Sequence, residues 1–293
     1  MASQLQLLDT VIFDVVRESE TKIEAILDSD VMYFYGEIRI EINQFFRNFI
    51  EKLALREDKK DKLAICISTP GGSVEVVEKM VEVVRHHYNE VNFIVPDMAM
   101  SAGTIFCMSG DKIYMDYSSS LGPIDPQVPD RENKYLVPAL GYLDKINDII
   151  LKSRNGTITP VEFALIEKQD LAMLRLYEQA KELSIALLKK WLVQYKFKDW
   201  ETHRTTNPGR KVTEEEKKAR AEEIAMILSD NNYWHSHSRM IGMNKLKELR
   251  LDIDDLSKNK DLHLAVRRYC DTLSDYLKRH GAPSFLHSRH IDN

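Results

Sequence analysis

Two short glycine-marked turns, each placed directly after an apolar run, constrain the fold of this chain more than any other feature. The apolar run 63–67 ends at the segment 68–73, Ser-Thr-Pro-Gly-Gly-Ser, after which valines and a methionine recur at helical spacing. The run 91–95 is likewise followed by a turn and by an apolar segment that begins at Ser101. Strand, turn and helix in immediate repetition predict a parallel sheet, in which both turns lie at one edge.

The rest of the chain predicts further elements of an α/β fold. Residues 31–35 read as a strand and are followed by apolar positions on one helical face, which adds a third βα unit. A short strand is expected at 112–115 and an extended loop at 118–127. The pattern between residues 139 and 200 is almost entirely helical, and Thr213 with Glu216 forms a capping box that opens another helix.

The residue types in the two turns indicate a possible chemistry. Gly71 and Gly72 allow the backbone to approach a ligand closely and to present amide N–H groups. Ser101 and Ala102 lie at the start of a helix, where the amides favour developing negative charge. A serine hydroxyl beside such an anion cradle is the minimum for acyl transfer, whereas an isolated serine at this position is more often a helix N-cap.

Three ordered motifs resemble those of the Clp-fold serine peptidases. The segment 68–73 resembles their oxyanion loop, and Met-Ser-Ala-Gly-Thr at 100–104 resembles their nucleophile turn. Leu-Gly-Pro-Ile-Asp-Pro-Gln at 121–127 narrows the resemblance to the serine dehydrogenase proteinase family, which is related to the Clp protease proteolytic subunit and to signal peptide peptidase A. The resemblance extends more loosely from about residue 30 to residue 253.

This resemblance implies a Clp/crotonase-like core of repeated ββα units with a helical handle. We expect a helical lead-in over residues 1–29 and a catalytic core over 30–138 and 229–256. The handle, through which relatives self-associate, would occupy residues 139–228. A C-terminal helix and a flexible tail would fill residues 257–293, with the end from residue 280 disordered.

The resemblance also assigns Ser101 as the nucleophile and the amides of Gly71 or Gly72 and of Ala102 as the oxyanion hole. The resemblance does not identify the general base, because Asp125 occupies the position at which the Clp subunit has its histidine. One hypothesis exchanges the two positions, so that Asp125 and His237 serve Ser101 as a permuted triad. The segment around His237 is one residue longer than the family's pattern, which makes His235 an alternative register.

A second hypothesis makes Lys145 the base of a Ser/Lys dyad, with Lys152 as a weaker candidate. A lysine base must be desolvated to lower its pKa toward neutrality. Asp144 and Asp148 would instead keep Lys145 charged if they face it, and a surface ion pair is the competing interpretation.

Composition excludes several other classes. The formal net charge of −5 offers no basic field for nucleic acid. The three cysteines lack metal-ligand spacing, and no apolar run approaches the roughly 20 residues that span a bilayer. We therefore expect a cytoplasmic protein with no cofactor, no metal, no nucleic-acid partner and no membrane span.

The predicted function is a serine peptidase that cleaves peptides or unfolded protein segments through an acyl-enzyme. One alternative is a latent or non-catalytic assembly module, because the usual histidine is replaced. Another is a crotonase-type acyl-CoA enzyme, which would use the same pair of amides but has no evident need of Ser101. The handle predicts a homo-oligomer, and the lack of an ATPase motif means that any unfolding activity requires a separate activator or unfoldase chain.

Overall fold

The computed structural model describes residues 2–129, 136–203 and 207–291. The predicted lead-in begins at Met1, and the predicted tail ends at Asn293. Both of these residues lie outside the described part. The helices are α1 (Ala2–Leu27), α2 (Ile40–Ala54), α3 (Val74–His87), α4 (Ala102–Met108), α5 (Ala139–Arg154), α6 (Pro160–Glu167), α7 (Leu171–Trp191), α8 (Glu214–Ser229), α9 (Asn231–Trp234), α10 (Met243–Glu248) and α11 (Lys260–His280). A π-helical turn, Leu192–Lys196, extends α7, and a 3-10 turn, Leu256–Lys258, precedes α11.

The strands form three separate sheets. They are β1 (Asp30–Gly36), β2 (Lys62–Ser68), β3 (Glu90–Ile94), β4 (Met98–Ala99), β5 (Lys112–Met115), β6 (Ser120–Leu121), β7 (Gln127–Pro129), β8 (Leu136–Pro138), β9 (Ile241–Gly242), β10 (Asp254–Asp255) and β11 (Ser284–His287). The main sheet has the order β10-β5-β3-β2-β1-β11, a smaller one has the order β4-β6-β9, and β7 pairs with β8. The main sheet is parallel except for β11.

The main sheet is covered on both faces, which explains why its central strands β1 and β2 are apolar at nearly every inner position. Alternate residues of β1 and β2 point to opposite sides. Met32, Phe34 and Ile65 pack in the core that includes α2, α3 and α4. Tyr33 and Cys66 belong to the second core, which α1 and α11 cover. The predicted α/β core with three early βα units is confirmed.

The helical region after the core buries more of its apolar surface than the sequence indicated. Tyr177, Leu187 and Trp191 of α7 are buried within the chain, because α7 packs against α5 on one side and against α8 and the core on the other. Other positions remain exposed, among them Phe163 of α6 and Leu171 of α7, which are 57% and 77% exposed. The apolar excess available to a partner is therefore smaller than the sequence pattern suggested.

The expectation of a disordered end from residue 280 is wrong for residues 284–291. Strand β11 adds antiparallel to the free edge of β1, with Phe34 opposite Leu286. The buried carboxylate of Glu20 in α1 then accepts hydrogen bonds from the Ser288 hydroxyl and the Arg289 amide, both at 2.9 Å. A four-residue strand carries little signal of its own, and here the edge of the sheet stabilises it.

Candidate active site

Ser101 lies on a sharp turn between β4 and α4. Its backbone has φ 53° and ψ −119°, a positive-φ conformation that is unfavourable for a residue with a side chain. Helix α4 begins at Ala102, yet the Ser101 side chain makes no capping hydrogen bond. The alternative in which Ser101 is an ordinary N-cap therefore does not describe this turn. A strained turn that presents a serine at a strand-to-helix junction has the geometry of a nucleophile elbow.

The glycine loop, residues 68–73, lies directly against this serine turn. The Thr69 amide donates to the Met98 carbonyl at 3.1 Å, and the Met100 amide donates to the Thr69 carbonyl at 3.0 Å. A Cβ atom on Gly71, whose φ is +105°, would come within 2.8 Å of the Ser101 Cβ. Only glycine allows this approach, because any side chain would meet the serine turn itself.

Some backbone amides of the two turns already donate hydrogen bonds within the chain, and others do not. The Gly71 amide donates to the Thr69 hydroxyl at 3.0 Å. The Gly72 segment pairs with Ile38 through the carbonyl of Gly71 and the amide of Ser73, which leaves the Gly72 amide out of the bridge. Within the described residues, neither Gly72 nor Ala102 donates a backbone hydrogen bond. These two amides therefore lack the acceptor that the Gly71 amide has.

The small sheet brings two distant segments to the same end as Ser101. Ala99 in β4 pairs in parallel with Leu121 in β6, and Leu121 pairs antiparallel with Ile241 in β9. The chain therefore leaves β4 and β6 in the same direction, whereas it enters β9 from that end. Ser101 and Asp125 follow their strands by two and four residues, and His237 precedes β9 by four. All three residues consequently belong to one end of this sheet.

Asp125 and His237 form a hydrogen-bonded pair at that end. His237 Nδ1 lies 2.9 Å from Asp125 Oδ1, and the second carboxylate oxygen accepts from Gln127 Nε2 at 3.3 Å. The Asp125 side chain is fully buried, whereas that of His237 is 21% exposed. An ionised Asp125 accepts the Nδ1 hydrogen, which leaves Nε2 as the ring nitrogen available to take a proton. The Ser101 hydroxyl makes no hydrogen bond within the described residues.

The other candidate bases have different surroundings. Lys145 in α5 is 59% exposed and pairs with Asp148 at 3.2 Å, so nothing desolvates its ammonium group. Lys152 bonds Glu162 at 2.7 Å and also lies near Asp148, and hydrogen bonds to these two carboxylates raise its pKa. His235 is exposed and occupies the left-handed position at the end of α9. The register that pairs with Asp125 is that of His237.

One further cluster has the residue types of a metal site. Ligand atoms of Glu24, Asp30 and His290 lie within 4.8 Å of one another. Their oxygens are already engaged, because Arg56 bonds Asp30 at 2.8 Å and Arg289 bonds Glu24 at 2.6 Å. Because two guanidinium groups already pair with these carboxylates, the cluster is better described as an ion-pair network than as a metal site. This network links the end of the chain to α1.

Comparison with known families supports the motif assignment. Residues 39–153, which include both turns and Asp125, match the family model of the ClpP-like SDH-type serine proteinases. The match spans less than half of the chain. The family match and the sheet topology together identify the fold as the Clp-like α/β fold.

Two curated relatives come from Methanocaldococcus jannaschii. The uncharacterized protein MJ0137 is 30% identical over 202 residues, which are 69% of this chain and 57% of MJ0137. The uncharacterized protein MJ1495 is 34% identical over 64 residues, which are 22% of each chain. This chain therefore matches little more than half the length of the first relative and about a fifth of the second.

Two solved structures are similar to the chain at low identity. A mutant of the 1510-N membrane-bound stomatin-specific protease aligns with 56% of this chain and 62% of its own, at 17% identity and a TM-score of 0.37. ClpP1 from Listeria monocytogenes aligns with 82% of this chain and 98% of its own, at 13% identity and a TM-score of 0.43. Among the described residues of the present chain, no helix is both long and apolar enough to cross a membrane.

Sequence reasoning missed some contacts that shape this site. The Thr69 hydroxyl accepts a hydrogen bond from the Gly71 amide. The Gln127 side-chain amide donates to Asp125 Oδ2, the carboxylate oxygen that does not contact His237. Both residues are in the motifs that carry the resemblance, since Thr69 precedes Pro-Gly-Gly and Gln127 ends Ile-Asp-Pro-Gln. Their presence was visible in the sequence, but their partners depend on loop geometry.

Proposed function

We propose that this chain is a serine peptidase that cleaves peptides or unfolded protein segments through an acyl-enzyme at Ser101. The observation that carries the proposal is the hydrogen bond between Asp125 and His237 at the end of the small sheet where Ser101 also lies. A buried carboxylate that orients an imidazole at the same end of the sheet as a serine turn supports the roles of acid, base and nucleophile in a catalytic triad. The chain order Ser, Asp, His does not alter these roles, because geometry defines them.

In this proposal His237 is the general base. Its Nε2 takes the Ser101 proton while Oγ attacks the substrate carbonyl carbon, and the same proton then passes to the leaving amine. Asp125 holds the ring through Nδ1 and stabilises the imidazolium that forms. Water hydrolyses the acyl-enzyme by the same sequence of proton transfers.

The oxyanion of the tetrahedral intermediate would be held by the Gly72 and Ala102 amides. Both are free of backbone partners among the described residues, and they belong to turns that are bonded to each other. The strained φ of Ser101 and the positive φ of Gly72 are consistent with a preorganised cradle, because such conformations persist where the surroundings fix them.

The test of this function is hydrolysis of an unfolded protein that carries a quenched fluorophore. We expect turnover by the wild type and none by Ser101→Ala. The matched control is Ser109→Ala, because Ser109 caps the other end of the same helix α4 and is buried in the fold. Equal turnover by wild type and Ser101→Ala would refute the assignment of the nucleophile.

We further propose that the chain self-associates through α6 and α7. Phe163 and Leu171 are more than half exposed and lie close in sequence on this helical region. Light scattering after size exclusion should give a smaller assembly for Leu171→Glu than for the wild type. Leu264→Glu is the control, since Leu264 of α11 is 68% exposed outside this region. Equal masses for all three proteins would contradict the proposal.

A further inference from the structure

The hydroxyl of Thr104 joins three parts of the site that are separate in sequence. Thr104 lies in the first turn of α4 and is fully buried. Its Oγ1 accepts a hydrogen bond from the Gly122 amide at 2.9 Å. The same oxygen lies 2.8 Å from the Ala99 carbonyl and 2.9 Å from the Gly122 carbonyl, either of which accepts its single hydrogen.

Each partner of Thr104 belongs to a segment that carries a site residue. Ala99 ends β4 and stands two residues before Ser101. Gly122 follows β6 and stands three residues before Asp125. Gly122 also lies close to the serine turn, because a Cβ atom added to it would come within 3.3 Å of the Met100 Cα. The hydroxyl therefore connects the Ser101 turn to the chain that leads to Asp125.

The shape of the cavity around the Thr104 side chain could be filled without a hydroxyl group. The pocket around Oγ1 is made of backbone polar groups, and a valine of nearly the same shape would fill it. Such a replacement would leave the Gly122 amide buried without its acceptor, which is costly. The segment from Gly122 to Asp125 would then lose a fixed contact with the Ser101 turn, although the Ile124 amide still donates to the Leu228 carbonyl at 2.9 Å.

We infer that Thr104 is a positioning residue, which fixes the Asp125–His237 pair relative to the Ser101 turn through its hydroxyl. This inference rests on the proposed peptidase function. Thr104 touches neither substrate nor the reacting atoms, and it acts by setting the distance between two segments. Removal of the hydroxyl should therefore slow the covalent step and leave the binding of a small inhibitor unchanged.

The experiment measures inactivation by a fluorophosphonate and separates the maximal rate from the inhibitor concentration that gives half of it. Thr104→Val should lower the maximal rate by about tenfold to hundredfold, because a shift of about 1 Å between catalytic groups can cost about a hundredfold in rate. Thr104→Ser, which keeps the hydroxyl, should restore a rate near that of the wild type. Ser109→Ala is the matched control, because Ser109 Oγ is buried and bonds the Phe106 carbonyl at 2.7 Å in the same helix.

A second measurement uses the wild type alone and does not depend on the folding of any variant. The Gly122 amide should exchange its hydrogen slowly, as expected for a buried donor with a fixed acceptor. Rapid exchange at Gly122 would overturn the inference.

The kinetic outcomes distinguish the inference from the proposed function. If wild type and Thr104→Val are labelled at Ser101 at equal rates, the inference is wrong and the function stands. A rate that falls equally in Thr104→Ser and Thr104→Val would show that the methyl group or the fold matters, and would also overturn the inference. No labelling of the wild type would overturn the proposed function and this inference together.

Discussion

Replacement of Asp125 by asparagine tests the pairing on which the proposed mechanism depends. The substitution keeps the shape of the side chain and removes its charge. With His237 Nδ1 2.9 Å from Asp125 Oδ1, the centres of an imidazolium and a carboxylate lie roughly 4 Å apart. At an effective dielectric constant of about 20, their attraction is about 4 kcal/mol. Loss of this energy from the transition state corresponds to a rate about 10³-fold lower.

The assay is the second-order rate of fluorophosphonate labelling for wild type and Asp125→Asn at one pH. Far-ultraviolet circular dichroism and urea unfolding show whether the variant keeps the fold. Gln127→Leu serves as a comparison, because it removes only the weaker 3.3 Å contact of the same carboxylate and keeps its charge. A rate for Asp125→Asn within about threefold of the wild type would refute the reasoning, since the charge would then have no part in activating the serine.

Three further predictions concern the alternative base, the glycine loop and the pH dependence of stability. Lys145→Ala should leave labelling and the unfolding midpoint unchanged, because Lys145 makes only an exposed pair with Asp148; a large loss of labelling would instead favour the lysine dyad. Gly71→Ala should abolish labelling and lower the free energy of unfolding by about 1 to 3 kcal/mol, measured in urea, since φ is +105° and the added Cβ has no room; a variant as active and stable as the wild type would contradict this. Burial alone would raise the pKa of Asp116, but hydrogen bonds from Arg267 and neighbouring groups outweigh it and hold that pKa well below its usual value. The folded state therefore binds fewer protons than the unfolded one, so stability from Asp116 is complete above about pH 4 and is lost on further acidification. Urea unfolding should show this acid loss in the wild type and less of it in Asp116→Asn; equal slopes would refute it.

The core was predictable because local patterns and tertiary packing agree there. The strands β1, β2 and β3 are apolar runs with turn residues at their ends, and their helices carry apolar faces at helical spacing. Both glycine-marked turns were placed correctly for the same reason. Only the conformations of the two turns, such as the positive φ of Ser101, required the structure.

The pairing of Asp125 with His237 could be proposed from the sequence, but the sequence alone could not establish it. The two residues are 112 positions apart and meet because β9 joins the small sheet through only two residues, a strand too short to leave a pattern. The choice between His235 and His237 depends on the left-handed residue that ends α9. The order at the end of the chain was missed because β11 is stabilised by β1 and Glu20, which lie far away in the sequence.

Mass spectrometry of the fluorophosphonate adduct tests the role of Ser101 most directly. The purified wild type is labelled and digested, and the modified residue is identified in parallel with Ser101→Ala and His237→Ala. We expect one adduct per chain on Ser101, none on Ser101→Ala, and a strongly reduced yield with His237→Ala. An adduct on another serine, or full labelling of Ser101 in His237→Ala, would contradict the proposed triad of Ser101, Asp125 and His237.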